Sequence, residues 1–399
     1  MKITDVEAIP LALSKIEEEK SDGTQDALIV KVHTDEGTTG IGEVDSSPHV
    51  IKAIIEAPAS HRSCQGLRQV LIGEDPFDAE RIWEIMYRRT YYYGRRGAAI
   101  NAMSGIDMAL WDIKAKVLDK PVYKLLEGER VEQNVRPYTR SYKSMTEKEI
   151  PVYASTLFPK DPDNVKLMRK KCKHLVNLGF KAIKFGYGGF GENPSKDYAL
   201  VKAARDEVGE SFLLMVDVGM VWDVKTAIQR VKSLEDLAPF FIEEPITADD
   251  IEGYSRLTHT VDSRIVAGEH IFTRYEFKDL MDRGHIDAIQ PDLSRMGGFT
   301  EAIKIATMAR TRNIPIIPHN WSTDILTKAT IQFIAATPNI PFLEFCVSNS
   351  PLRWGVTKNP LTAKDIIDGR IKVPERPGLG IELNEKTIKR YHQYYLDKF

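Results

Sequence analysis

Two periods of hydrophobic and polar positions divide the chain. Up to about residue 45 they alternate, in Thr4–Leu13 and again in Ala27–His33. Asp35-Glu36-Gly37 supplies a turn and Thr39-Gly40-Ile41-Gly42-Glu43 starts the return. A period of two broken by turns predicts a β-meander. The charged stretch between its first two strands, Ser14–Gln25, predicts an exposed, mobile loop. Residues 47–130 change to helical spacing. Asp75-Pro76 is expected to open one helix, and Ala98–Leu118, apolar on several faces, predicts a buried one.

From about residue 134 short apolar runs alternate with helical patterns. The expected strands are 135–138, Ala182–Phe185, Phe212–Val216, Phe240–Glu244, Ile265–Glu269, Asp287–Gln290, Ile314–Pro318 and Phe342–Phe345. Eight strands alternating with helices predict an α/β fold, a β/α barrel. An open doubly wound sheet is the competitor, but it gathers ligands at one switch point. Here chemically capable residues close nearly every strand. After Leu361, Ile366–Val373 and Gly378–Glu382 predict a hairpin returning to the N-terminal unit. The expected units are 1–130, 131–360 and 361–399.

Composition narrows the function classes. A net charge of −2 with no Lys/Arg block argues against nucleic acid or a membrane surface as partner. The three cysteines, Cys64, Cys172 and Cys346, form no zinc or disulfide pattern and fit a reducing cytoplasm. The first residues alternate like a strand instead of forming a signal-peptide core. No apolar run is long enough to span a bilayer. A cytoplasmic enzyme acting on a small molecule is expected.

The chemistry sits at the strand ends. Asp217, Glu243 and Glu269 recur every 26 residues, the length of one strand, one helix and two turns. In a barrel all three reach one pocket. Like charges crowd there unless a cation compensates. Three hard oxygen ligands suit Mg²⁺, with Mn²⁺ the alternative. Helix-capping, solvated acids are the competing reading for any one of them. Lys184 lies among apolar residues near the second strand end, placed as a base or as an ion-pair partner. His319 and Asp292 end adjacent strands, where a carboxylate on one ring nitrogen makes the other a better base. Glu344 ends the last strand, where a buried carboxylic acid can donate to a developing oxyanion or form a structural ion pair. Gly186–Gly191 lacks the Walker and dinucleotide spacings. Tyr91-Tyr92-Tyr93 with Arg95 and Arg96 either lines a pocket or packs between subunits.

Taken together, the helix Ser104–Lys116, Val216-Asp217, Ile242-Glu-Glu-Pro245, Gly268-Glu269, Pro291-Asp292 with Gly297-Gly298, Pro318-His319 and Leu343-Glu344 carry a resemblance over essentially the whole chain. The chain resembles the enolase superfamily, in particular its mandelate racemase branch. That resemblance implies a modified (β/α)₇β barrel of TIM type with an α+β capping domain built from the N-terminal segment and the C-terminal tail. It implies Mg²⁺ on Asp217, Glu243 and Glu269, and abstraction of the proton α to a carboxylate. It makes Lys184 the base on one face, His319 with Asp292 the dyad on the other, and Glu344 the electrophilic partner. It also suggests a homo-oligomer, from dimer to octamer.

Two departures stand out. Many members carry Lys-x-Lys on the second strand; here Ala182 takes the first position and only Lys184 remains. Muconate-type members place a base lysine before the glycine pair, where this chain has Ser294-Arg295-Met296. A guanidinium is a poor base and a good carboxylate binder, which argues against a cycloisomerase or dipeptide epimerase. The leading expectation is a dehydratase of an acid sugar, aldonate or aldarate, giving a 2-keto-3-deoxy acid. A racemase or epimerase is the runner-up, and a non-catalytic carboxylate-binding relative a third reading. His49 (a second candidate acid), Arg295, Tyr93, His270 and Asn320 are the candidates for substrate contacts.

Overall fold

The computed structural model describes residues 1–17, 23–127 and 149–399. The N-terminal unit is a three-stranded antiparallel meander, β1 Ile3–Ala12, β2 Asp26–Thr34 and β3 Thr39–Val44. Helix Ala98–Val117 packs on it. Its sheet-facing small residues let the backbones approach closely: a Cβ at Gly42 would lie 1.9 Å from the Gly105 carbonyl oxygen. Sixteen of this helix's residues are buried, as its apolar faces predict. Asp75 closes the turn ahead of the preceding helix by accepting from Phe77 N at 3.0 Å. That helix starts at Ala79, three residues later than the Pro76 start that an Asp75 cap implies.

The remainder is a parallel barrel. Its strands are β4 Glu149–Leu157, β5 Ala182–Gly186, β6 Leu213–Asp217, β7 Ile242–Glu243, β8 Ile265–Ala267, β9 Ala288–Ile289 and β10 Leu343–Cys346. Pairing runs β10-β4-β5-β6-β7-β8-β9. The seventh strand position is reduced to a bridge between Ile289 and Ile316. A helix follows each of the first seven positions, and β10 closes the (β/α)₇β order. Buried Tyr153, Ala182, Met215, Phe241, Val266, Ala288 and Ile317 fill the barrel interior, the layered packing that makes such a barrel a core and not a pore.

Among the described residues the first barrel strand is β4, whereas the sequence predicts one at 135–138. The expected segment lies outside the described residues, as does the 130/131 boundary. Glu149–Leu157 was missed because its apolar run is interrupted by Ser155 and Thr156. The returning tail also differs from expectation. Its strand β11, Arg370–Lys372, pairs with the start of β4, so the hairpin extends the barrel sheet. Gly378 and Leu379 do return to the N-terminal unit, bonded to Lys120 and Asp112 at the end of the long helix, and an unanticipated C-terminal helix, Glu385–Lys398, packs on β1.

Buried acids join the two units. Asp107 on the long helix accepts from Thr300 N at 2.9 Å, at the start of helix Gly298–Thr311. Glu43 on β3 accepts from Leu326 N at 2.9 Å and from Ser322 Oγ at 2.9 Å, at the start of helix Asp324–Ala336. Carboxyl oxygens, protonated or not, satisfy the free N–H groups of a helix N-terminus. The capping unit is thus fixed to the helices after the sixth and seventh strand positions. Among the described residues no helix is long and apolar enough to cross a membrane.

Candidate functional site

The strand ends deliver the expected residues to one buried cluster. Lys184, Asp217, Glu243, Glu269, Asp292, His319 and Glu344 are all less than 8 % exposed. Register explains part of this: Gly186 pairs with Asp217 and Asp217 with Glu243, so neighbouring strands end level. Gly186 also leaves room for the acid, because a Cβ there would sit 2.5 Å from Asp217 Oδ2.

Cations and acids interleave. Lys184 Nζ lies 2.5 Å from Glu243 Oε1 and 2.8 Å from Glu344 Oε1. His319 Nδ1 is 2.6 Å from Asp292 Oδ2, and its Nε2 is 3.1 Å from Glu269 Oε2. Asp292 is anchored by Ser294 N and Ser294 Oγ, both at 2.6 Å. Glu344 accepts from Asn320 N at 3.1 Å, while Asn320 Nδ2 donates to the Glu344 carbonyl at 2.8 Å. Asn320 is fully buried and holds Glu344 in place.

Electrostatics follow from this arrangement. Burial and the neighbouring Glu243 push the Asp217 carboxyl well above its usual range. Burial also pushes Glu243 up to about 7, against the pull of Lys184. For Lys184 burial acts downward, but the carboxylates of Glu243 and Glu344 outweigh it and hold the ammonium protonated. His319 likewise overcomes burial and rises to about 10, through Glu269 and Asp292. Glu269 falls to about 2 despite burial, through His319 and Arg295.

Among the described residues, two groups of side chains bring ligand atoms within 4.8 Å of one another: Asp45, Asp292 and His319, and Glu244, Glu269 and His270. Asp217, Glu243 and Glu269 do not form such a group, because each turns to its own partner. Glu243 faces Lys184 and accepts from Gln290 Nε2 at 2.6 Å. Glu269 faces His319, and Asp217 accepts from Gly219 N at 2.9 Å. The chemistry of the trio nevertheless fits a hard divalent cation: three buried carboxylates on adjacent strands, two of them with raised pKa values.

The substrate-contact candidates divide. Arg295 reaches the cluster, 3.5 Å from Glu269 Oε1 and 3.8 Å from Asp292 Oδ2. His270 flanks it, bonded to Glu244 at 2.8 Å. His49 does not join them. It is exposed on helix Pro48–Glu56, where Nδ1 meets the Tyr395 hydroxyl at 2.6 Å and the ring packs near Phe399. Tyr93 is also elsewhere, its hydroxyl donating to the Gln65 carbonyl. Both dock surface elements of the capping unit. Residues 18–22 of the expected loop lie outside the described residues. Its end is not loose, since Ser350 Oγ donates to the Thr24 carbonyl at 2.5 Å just past β10.

Other members of the cluster escaped the sequence reading. Tyr153 packs beneath Lys184, whose ammonium is 6.0 Å from the ring centroid, and it was hidden with its strand. Gln290 stands two residues before Asp292, so strand alternation alone puts both on one face. Glu244 takes a left-handed φ of 39°, which the adjacency to Glu243 does not signal. Asp45 had no signal beyond its place after β3.

This barrel, its capping unit and the carboxylate ring define an enolase-type enzyme. Family models agree. "Mandelate racemase / muconate lactonizing enzyme, N-terminal domain" matches residues 6–127, and "Enolase C-terminal domain-like" matches 167–387. The chain belongs to the enolase superfamily, in its mandelate racemase branch. It is 31 % identical over 378 residues to a D-galactarolactone cycloisomerase of Agrobacterium fabrum, covering 91 % of this chain and 90 % of that one. It is 31 % identical over 367 residues to an arabinonate dehydratase of Saccharolobus solfataricus, with coverage of 91 % and 90 %. Among solved structures, a racemase from Streptomyces coelicolor with bound magnesium superposes with a TM-score of 0.81 at 26 % identity, covering 98 % of this chain and 99 % of that one.

Proposed function

We propose that the protein is a Mg²⁺-dependent dehydratase of an acid sugar, with Asp217, Glu243 and Glu269 as the metal ligands. The observation that carries this reading is the pair of cationic groups at different strand ends, Lys184 on β5 and His319 at the seventh position, each tied to the same ring of acids. A divalent cation held by the three carboxylates supplies positive charge against the substrate carboxylate and the charge that develops beside it.

The chain's own residues do the rest. Lys184 or His319, according to the configuration at C2, takes the α-proton onto Nζ or Nε2. Lys184 and His319 must each first lose a proton, and neutralising Glu243 and Glu269 weakens the hold that keeps them charged. Asp292 fixes His319 through Nδ1, leaving Nε2 as the working nitrogen. Against burial, Lys184 and His319 hold the Glu344 carboxyl below its usual range, so Glu344, positioned by Asn320, must first take up a proton to donate to the oxygen where negative charge collects. The C2–H electron pair then forms the C2–C3 double bond, and the C3–O bond breaks. A proton from His319 lets the hydroxyl leave as water, and the enol tautomerises to the 2-keto-3-deoxy acid.

A second reading has support of its own, since one relative is by name a lactone cycloisomerase. The first proton transfer would be the same, but the leaving oxygen would stay tethered and no water would form. The absence of a base lysine before the glycine pair excludes only a base at that position. Incubation with Mg²⁺ and a panel of aldonates, aldarates and their lactones tests both readings. A 2-keto acid formed from an open-chain sugar acid supports the dehydratase. Turnover of lactones alone moves the assignment to the cycloisomerase. Exchange of the α-proton without elimination moves it to a racemase.

A further inference from the structure

We propose that Asp45 makes the site selective for acids with a single carboxylate, by holding Arg295 as an internal counter-ion from the capping unit. This rests on the reading above and narrows its substrate class: aldonates and other monocarboxylates, not aldarates.

Arg295, in the loop between β9 and helix Gly298–Thr311, is the side chain that touches the acid ring and suits a distal carboxylate by its geometry. A guanidinium binds a carboxylate through two parallel N–H groups. Neither edge of this fork is free. Nη2 lies 2.6 Å from Asp45 Oδ2. Nη1 faces the Glu269 carbonyl at 3.4 Å and Glu269 Oε1 at 3.5 Å. Nε faces Asp292 Oδ2 at 3.8 Å, buried and without a hydrogen-bond partner. Even if Glu269 turns to another cation, Asp45 keeps its bond.

The pair is built, not incidental. Both side chains are largely shielded, with 18 % and 13 % of their surface accessible. One residue of the long buried helix ties the Arg295 backbone to Ser46, the residue next to Asp45. With its amide oriented to satisfy its neighbours, Asn101 donates to the Arg295 carbonyl at 2.9 Å and accepts from Ser46 Oγ at 3.1 Å. Asp45 is therefore placed before any substrate arrives. The other cations in contact with the ring are also matched: Lys184 with Glu243 and Glu344, His319 with Glu269 and Asp292, and His270 with Glu244. A second substrate carboxylate at Arg295 would have to displace Asp45 and then sit beside it. Such like-charge juxtaposition is how a site rejects a competitor. A hydroxyl at the same place carries no such penalty.

The test uses pairs matched in configuration, galactonate with galactarate and gluconate with glucarate, in Mg²⁺. Binding is read by calorimetry and α-proton exchange by NMR in D₂O. The wild-type protein should bind the better monoacid at least about tenfold more tightly than its matched diacid. Asp45→Asn should narrow that ratio about tenfold or more by freeing Arg295, and Asp45→Asn with Arg295→Gln should lose the gain. A wild-type protein that binds matched diacids as tightly overturns the proposal without any variant. An Asp45→Asn ratio equal to the wild-type one also overturns it. Selective monoacid binding without exchange or keto acid would retain charge selection and sink the dehydratase reading. Equal exchange with both members of a pair would do the reverse, and binding of no acid would sink both.

Discussion

Lys184 Nζ lies 2.5 Å from Glu243 Oε1, with Glu344 Oε1 a further contact at 2.8 Å, so the candidate base of one face is locked between two acids of the ring. Lys184→Ala should remove base catalysis for the C2 configuration that presents its proton to β5. The loss should be about 10²–10⁴-fold in kcat, the usual worth of a positioned base. Exchange on the opposite C2 epimer, which depends on His319, should survive to a much greater extent. Rates on an epimeric pair of sugar acids check this. Equal losses on both would show Lys184 to be only a counter-ion.

His319 depends on Asp292 for its orientation, through a bond of 2.6 Å. His319→Asn should abolish exchange on its own face. Asp292→Asn should cost less, because the imidazole remains but its tautomer is no longer enforced. Single-turnover rates for the two variants, beside near-unchanged circular dichroism, give the comparison. An Asp292→Asn rate at the wild-type level would remove the dyad from the mechanism.

The carboxylates of Asp217, Glu243 and Glu269 should hold Mg²⁺. Chelation should therefore silence the enzyme reversibly. At a hundred times its Kd the metal should stabilise the fold by about 2.7 kcal/mol, seen as a rise in Tm. Asp217→Asn should weaken that thermal response at least about tenfold in Mg²⁺ concentration. Equal stabilisation of wild type and variant would place the metal elsewhere.

Asp107 gives a pH prediction away from the reaction. Burial pushes its carboxyl from 3.8 up to about 7. The folded state therefore holds a proton that the unfolded chain releases near pH 4. The stability from this group is fully present below pH 4 and is lost as pH rises through about 7. Its worth is at most about 4 kcal/mol. Asp107→Asn cannot titrate, so its chemical stability should fall less than that of wild type between pH 4 and 8. Parallel pH profiles from denaturant titration would contradict the shift.

Much of this architecture was legible in the sequence because strand-end acids recur at the barrel's own repeat. Asp217, Glu243 and Glu269 announced the strands that carry them, and all seven predicted cluster residues do lie together and buried. What stayed hidden depended on contacts between distant segments. β4 is hard to see in the sequence because Ser155 and Thr156 interrupt its apolar pattern, which also conceals Tyr153. His49, a candidate acid by sequence, is turned to Tyr395 by the helix that begins at Pro48. Asp45 and Arg295 meet across 250 residues of sequence, and no local pattern encodes that pairing. The C-terminal helix likewise matters through Tyr391 and Tyr395 buried at its inner face.

Proton abstraction α to a carboxylate is the central claim, and solvent exchange measures it directly. The protein is incubated in D₂O with Mg²⁺ and a panel of sugar acids, and deuterium at C2 is followed by NMR. Wild type should exchange the α-proton of at least one acid far faster than the uncatalysed rate and release a 2-keto-3-deoxy product. Exchange should vanish on chelation and fall with Lys184→Ala or His319→Asn. If no acid in the panel exchanges its α-proton in the presence of metal, the account is contradicted.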